Sequence, residues 1–344
     1  MASNAELLRA PFPWFGGKSR VAELTWRRFG DCANYVEPFA GSLACLLGRP
    51  HWPWDGNRIE TVNDADCYLA NFWRALQCDP ESVADYCDWP VNEADLHARH
   101  LWLVNSAKAT VAKLRTDPDF YDAKIAGWWV WGLCQWIGSG WCADLHQKLP
   151  HLGRGRGVHR PSQQLPHLGS AGSGVHRPSQ KRPLLGRGRG VHRPSQQLPH
   201  LGDAGRGVHD YLALLAQRLH GVRVCCGDWS RVCGKSPTYT LGTTAVFLDP
   251  PYSAEANRAD ELYAVDSPTV AHDVREWAIA NGGNKLLRIA LCGYEGEHAM
   301  PDDWECVAWK ANGGYANRNN DNAHRERIWF SPHCLKPERT KTLF

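Results

Sequence analysis

Apolar positions along this chain alternate between two rhythms. Compact runs rich in β-forming residues occur at Ile59–Val62, Val222–Cys226, Ala245–Leu248, Leu286–Cys292, Glu305–Lys310 and Arg327–Phe330. Each is short and bounded by Gly, Pro, Asn or Asp, the pattern of strands buried in a sheet. Between them, apolar residues recur at helical spacing over Val21–Phe29, Leu69–Leu76, Ala94–Lys113, the Trp-rich Ile125–Ile137, His209–His220 and Thr269–Asn281. The stretch Asn34-Tyr35-Val36-Glu37-Pro38-Phe39-Ala40-Gly41-Ser42 reads as a further short strand and a tight turn of small residues, and Leu43–Leu47 as the helix that follows. Strands alternating with helices predict an α/β chain with a mostly parallel sheet.

Open sheets of this kind carry their chemistry at the carboxyl ends of the strands. Four such ends are conspicuous. The run Ala245-Val246-Phe247-Leu248 stops at Asp249-Pro250-Pro251-Tyr252, where two prolines fix the backbone and present a carboxylate, a peptide carbonyl and an aromatic ring. Ile59–Val62 ends in Asn63-Asp64-Ala65-Asp66, with Asp64 placed to bind ribose hydroxyls or, equally, with its acids leading a helix. Val222–Cys226 ends in Gly227-Asp228-Trp229, a third acid with an aromatic beside it. The Phe39-Ala40-Gly41 turn has the layout of a nucleotide-binding β-α unit but lacks the Gly-x-Gly-x-x-Gly fingerprint, which disfavours a dinucleotide. Upstream, Pro11-Phe12-Pro13-Trp14-Phe15-Gly16-Gly17-Lys18-Ser19-Arg20 suggests a phosphate loop, yet its glycine spacing does not fit one, and an ordinary turn is the competing reading.

An Asp-Pro-Pro-Tyr turn suits one chemistry well. The exocyclic amine of a nucleobase is a poor nucleophile because its lone pair is delocalised into the ring. Asp249 and the Pro250 carbonyl can accept its two hydrogens, while Tyr252 stacks on the base and the prolines keep the geometry pre-organised. A strand that merely ends in an Asp-Pro turn is the plain alternative.

Charge is unevenly distributed. The 344 residues carry a formal charge of +3. Residues 148–209 hold 11 Lys or Arg against the single acid Asp203, which is +10; the remainder is −7. This basic segment is a tandem repeat of Leu-Pro-His-Leu-Gly, a short Gly/Arg linker and Gly-Val-His-Arg-Pro-Ser-Gln, with copies beginning at Leu149, Leu165, Arg182 and Leu198. It contains no Phe, Trp or Tyr and cannot bury a core. Its arginines, among them Arg154, Arg156, Arg160, Arg187, Arg189 and Arg193, point to a polyanionic partner. Thirteen cysteines without Cys-x-x-Cys spacing argue for free thiols in a reducing compartment and against a zinc site. Ile125–Cys142 is the most apolar stretch, but its glycines, Gln135 and scattered tryptophans suit a buried helix and loop, not a membrane span. Most of these tryptophans are expected in the core, with one or two available to stack on bases or wedge into a duplex.

Four motifs occur in one order: Pro-Phe-x-Trp-x-Gly-Gly-Lys at 11–18, Tyr35-Val36-Glu37-Pro38-Phe39-Ala40-Gly41-Ser42, the strand end at Asp64, and Asp249-Pro250-Pro251-Tyr252. In this order the chain resembles the Dam-like family of DNA adenine-N6 methyltransferases, over residues 11–76 and about 211–331, and more weakly over 125–142. The resemblance implies a Rossmann-like, mostly parallel seven-stranded sheet formed by residues 1–79 and 209–344, binding S-adenosyl-L-methionine. It also implies an inserted, mainly helical target-recognition region at 80–208 that includes the repeat. Trp14 and Lys18 would line the cofactor site, Phe39, Ala40 and Gly41 would form the loop under the methionine moiety, Asp64 would accept the ribose hydroxyls, and Asp228 and Trp229 would flank the adenine. Asp249, Pro250, Pro251 and Tyr252 would hold a flipped-out target adenine, with Asp249 also bordering the cofactor. No metal is implied. Double-stranded DNA is the implied partner of a monomeric, cytoplasmic, bacterial or phage-encoded enzyme, with a cognate restriction endonuclease as a second partner. A cytosine-N4 methyltransferase and a non-catalytic DNA-binding relic are the alternatives. One departure stands out: where family members often have a second glycine after Gly41-Ser42, this chain has Leu43, which would be strained if that position needs a positive φ.

Overall fold

A computed structural model describes residues 8–14, 18–53, 58–136, 141–142, 207–252, 269–309 and 325–336. The basic repeat, with Arg154, Arg156, Arg160, Arg187, Arg189 and Arg193, lies outside the described residues, as do Gly16 and Gly17. The strands are β1 (Asn34–Glu37), β2 (Ile59–Asp64), β3 (Arg223–Cys226), β4 (Thr244–Leu248), β5 (Leu287–Tyr294), β6 (Glu305–Ala308) and β7 (Glu326–Phe330). They form one seven-stranded sheet in the order β3-β2-β1-β4-β5-β7-β6. The first five strands are parallel, and β7 runs antiparallel between β5 and β6. The α/β expectation with a mostly parallel seven-stranded sheet is therefore met, and every strand read from the sequence is present within a few residues.

Both faces of the sheet are covered, as parallel strands require, and β1 and β4 are buried along their whole length. Alternate side chains go to opposite sides. Tyr35, Ala245, Phe247, Ala290, Cys292 and Phe330 join Trp26 and Phe29 of α1 (Ala22–Phe29), Leu46 of α2 (Ala44–Leu47) and Leu69 of α3 (Cys67–Cys78). Val36, Val246, Leu248, Ile289 and Leu291 face the other way, toward Val232 and Cys233 beside β3 and Val274 and Ala278 near the C-terminal end.

The helices α4 (Pro80–Cys87), α5 (Glu93–Trp102), α6 (Lys108–Val111), α7 (Ala123–Gln135) and α8 (Val208–Leu219) extend the first of these cores. Their starts follow local rules. Asp66 caps α3 by accepting the Tyr68 N–H at 2.8 Å, Asp79 caps α4 ahead of Pro80 through Ser82 N–H, and Asp122 caps α7 through Ile125 N–H at 2.8 Å. The single helix predicted over Ala94–Lys113 is interrupted: Leu103–Ala107 is a π-turn. There the Tyr68 hydroxyl donates to the Leu103 carbonyl at 2.6 Å. Of the clustered tryptophans, Trp129, Trp131 and Trp141 are buried, while Trp128 and Trp136 are half-buried. No helix among the described residues is long and apolar enough to cross a membrane.

The remaining two helices are α9 (Ser230–Cys233) and α10 (Val270–Gly282), the latter packed on β5. One ionic element lies inside the core. Glu60 of β2 accepts from Arg49 at 3.0 Å and from both terminal nitrogens of Arg218 at 2.7 and 2.9 Å, all three residues being buried. The same guanidinium groups donate to the Cys32 and Leu46 carbonyls, tying α8 and α2 to the sheet.

Candidate functional site

The strand order reverses between β1 and β4. From β1 the chain runs outward through β2 to β3, then returns to β4 and proceeds the other way. Ligands of open α/β sheets bind outside the carboxyl ends at such a switch point. All the strand ends singled out in the sequence lie on this edge. By register, Glu37 of β1 pairs with Val62 of β2, and Asp64 with Cys226 of β3. Phe39–Gly41, Asp64, Asp228–Trp229 and Asp249–Tyr252 thus follow adjacent strands, and with strands about 4.8 Å apart the Asp64 and Asp249 ends are separated by roughly 10 Å across β1.

On the β4 side, Asp249 is not a bare carboxylate. Lys18 Nζ lies 2.9 Å from Asp249 Oδ1 and donates to the Tyr252 hydroxyl at 3.0 Å. That hydroxyl donates to Glu326 Oε2 at 2.8 Å. Tyr252 meets Tyr294 edge to face at 4.5 Å, and Trp309 offers its ring to Lys18 at 5.6 Å. Glu326 opens β7 directly opposite Tyr294 at the end of β5, so the antiparallel strand brings a second carboxylate into the site. Lys18, which the resemblance assigns to a cofactor site, has its ammonium on the Asp249 turn.

Charge in this corner follows from burial. Desolvation pulls the Lys18 ammonium down, but the carboxylates of Asp249 and Glu326 outweigh it and hold its pKa above the ordinary value. Burial pushes both Asp249 and Glu326 upward, and Lys18 pulls each of them back. One ammonium shared by two desolvated carboxylates keeps itself charged and leaves the carboxylates short of compensation.

On the β1–β2 side, the backbone is held at several points. Gly41 N–H donates to Asp64 Oδ2 at 3.1 Å, Asp66 N–H to Asp64 Oδ1 at 2.9 Å, and Trp73 Nε1 to the Gly41 carbonyl at 3.1 Å. Asn63, unremarked in the sequence, donates to the Pro38 and Gly227 carbonyls, joining the ends of β1, β2 and β3. Burial raises the Asp64 carboxyl to about 7, the Asp66 carboxylate adding to the rise while main-chain N–H groups oppose it. Gly41 has φ +46°, and a Cβ there would stand 2.6 Å from Trp14 Nε1. This loop therefore has room for backbone only, with the half-buried Trp14 ring against it. Ala40 is buried and donates its N–H to the Asn63 carbonyl at 2.8 Å. Phe39 and Trp229 lie nearly parallel with centroids 6.2 Å apart, and Trp277 meets Trp229 edge-on. Asp228 is exposed and accepts from Ser230, leading α9.

Beneath the loop, Glu37 accepts from Tyr35 at 2.9 Å and from Leu46 N–H at 3.2 Å. Burial holds its carboxyl up to about 8 despite these donors. Leu43 carries the strain foreseen in the sequence: it is fully buried and left-handed, at φ 53° and ψ 25°. The left-handed backbone costs about 1–3 kcal/mol, yet the side chain fills the core under the loop. Leu43→Gly is expected to relieve the backbone and still lose about 1–3 kcal/mol net, because emptying a buried leucine site costs more. A rise in the urea midpoint of that variant would reverse this balance.

Among the described residues no cluster of three or more His, Cys, Asp or Glu side chains is arranged to hold a metal ion. Compared with known protein families the chain matches no family model, and none of the curated proteins matches it.

Proposed function

We propose that the chain is an S-adenosylmethionine-dependent DNA methyltransferase that modifies the N6 amine of adenine. The observation that carries this reading is the switch-point edge itself. A proline-locked Asp249–Tyr252 turn with a buried cation on its carboxylate stands beside the glycine loop that follows the neighbouring strand β1, and Asp64, one strand further on, fixes that loop.

The β1–β2 half fits the cofactor. Gly41, lacking a side chain, lets the Trp14 ring close on the loop, Asp64 presents its carboxylate beside it, and Phe39 with Trp229 offers flat apolar surfaces for an adenine. When bound there, S-adenosylmethionine supplies a methyl group on a sulfonium centre. Asp249 and the Pro250 carbonyl accept the two hydrogens of the adenine amine and draw its nitrogen toward a lone-pair-bearing geometry. Lys18 fixes the Asp249 carboxylate in place, and Glu326 holds Tyr252 by its hydroxyl. The raised basicity of Asp249 also suits it to take the proton that the nitrogen releases. The target adenine leaves the duplex to reach this turn, at a cost of a few kcal/mol. Stacking on Tyr252 offsets about 1–3 kcal/mol of it. The +10 segment at 148–209 supports a polyanionic partner and a binding constant that falls steeply with salt.

The test is methyl transfer to unmethylated DNA, read by nucleoside mass spectrometry. N6-Methyladenine supports the reading, N4-methylcytosine moves the substrate to the other exocyclic amine, and absence of any methylated base with DNA still bound overturns catalysis.

The charge state gives a second check. Asp249 must be ionised to accept N–H groups, and burial raises its pKa above the ordinary 3.8. The acid limb of kcat is therefore expected above the pKa of an ordinary aspartate. Lys18 lowers the Asp249 pKa, so Lys18→Met is expected to move that limb to still higher pH. A limb that stays in place would separate Lys18 from the titration.

A further inference from the structure

Cys67 and Cys226 stand on the rim of the β2–β3 end. Cys226 is the last residue of β3 and pairs with Asp64, and Cys67 is the first residue of α3, three positions after Asp64. Their sulfurs are 3.4 Å apart, with the Cys226 S–H donating to Cys67. Cys67 is half-buried and Cys226 buried. Arg115 donates to the Ala65 carbonyl at 3.5 Å, which brings its guanidinium beside Cys67.

The two thiols are unequal. The Cys226 hydrogen bond and Arg115 bring Cys67 down to about 7, against burial and the Asp66 carboxylate. Cys226, donating to Cys67 and buried, moves the other way and keeps its proton. One sulfur is thus a nucleophile near neutral pH and the other a protected partner within reach. The two exposed thiols, Cys78 and Cys306, are both shifted upward by their partly desolvated surroundings.

We propose that Cys67 and Cys226 form a reversible, peroxide-sensitive thiol pair that controls the neighbouring ligand pocket. The Cys67 thiolate attacks a peroxide oxygen, the O–O bond breaks, and Cys67 becomes a sulfenic acid. Cys226 sulfur then attacks Cys67 sulfur, forming the S–S bond and expelling the hydroxyl as water. With hydrogen peroxide, two electrons pass from the thiols to the peroxide, and both thiol protons leave in two waters. Bond formation draws the sulfurs together by roughly 1.4 Å. Asp64, three residues before Cys67, holds the Gly41 N–H, and Gly227, next after Cys226, donates its N–H to the Asp64 carbonyl at 3.0 Å. The disulfide therefore pulls on the turns that carry Asp64 and Trp229. The effect on S-adenosylmethionine rests on the function proposed above; the thiol chemistry does not.

The experiment treats the reduced full chain with hydrogen peroxide, blocks remaining thiols, and maps cross-links by mass spectrometry. The binding of S-adenosylhomocysteine is measured before oxidation, after it, and after reduction with a dithiol. The expected result is a Cys67–Cys226 link formed ahead of modification at Cys78 or Cys306, with affinity falling about tenfold and recovering on reduction. Cys226→Ser is expected to leave a Cys67 sulfenic acid trapped by dimedone, and Cys67→Ser to give neither link nor adduct. Oxidation of Cys78 or Cys306 with the pair still reduced would overturn the proposal, as would equal affinity in the linked and reduced forms. If the reduced chain binds no S-adenosylhomocysteine, the functional reading fails, while the cross-link map still decides the thiol chemistry.

Discussion

Asp249→Ala is expected to lower methyl transfer to adenine by about 10³-fold, the scale on which losing one pre-organised polar contact to a reacting group acts. The loss should fall on kcat. The carboxylate's contribution is greatest as the amine nitrogen changes geometry, and the alanine removes an acceptor without altering the proline-locked backbone of the turn. Lys18 keeps the Tyr252 hydroxyl at 3.0 Å and the Glu326 carboxylate beyond it, so the corner retains a counter-charge. S-Adenosylhomocysteine affinity is expected to stay near that of the unmodified protein, because the loop at Gly41 is held by Asp64 on β2 and by Trp73, not by Asp249. Asp249→Asn serves as the control: it restores one acceptor and no charge, and should recover only part of the rate. Full activity in Asp249→Ala, by nucleoside mass spectrometry, would remove the Asp-Pro-Pro-Tyr turn from the reaction.

Glu60→Ala is expected to destabilise the fold by about 3–5 kcal/mol, since it strips the shared partner from two buried guanidinium groups. Arg218 binds both oxygens of this carboxylate and Arg49 shares one of them, and each also donates to a main-chain carbonyl. Those carbonyls hold the guanidinium groups inside the protein but do not neutralise them. Replacement of all three by apolar residues of similar volume should cost far less than the single change, since no unpaired charge would be left behind. Urea unfolding of the single and triple variants measures this. A Glu60→Ala midpoint close to that of the unmodified chain would mean that water or other partners compensate the arginines once Glu60 is gone.

Much of the architecture was legible in the sequence. Local rules govern it: compact apolar runs ended by Gly, Asp or Pro, and a helix led by Asp66; the strain at Leu43 came from the family resemblance, which often sets a glycine at that position. Burial on both faces leaves parallel strands as uninterrupted apolar runs, so even β1 and β4, of four and five residues, announced themselves. Several motifs of the candidate site were legible for a related reason, because strand ends are where an open α/β sheet exposes backbone and polar side chains together.

What tertiary structure alone decided was which of these groups meet. Lys18 and Asp249 are separated by most of the chain, and nothing local says that the ammonium seats on that carboxylate. Glu326 reaches Tyr252 only because β7 inserts antiparallel between β5 and β6, which brings its first residue level with the end of β5. Asn63 reads as one polar residue in a turn until three strand ends converge on its amide. Cys67 and Cys226, scattered in a list of thirteen, become a pair through the β2–β3 register. Chain-local patterns encode how each segment folds; pairing register and strand order set which distant charges share one desolvated space, and that proximity sets their pKa shifts and their chemistry.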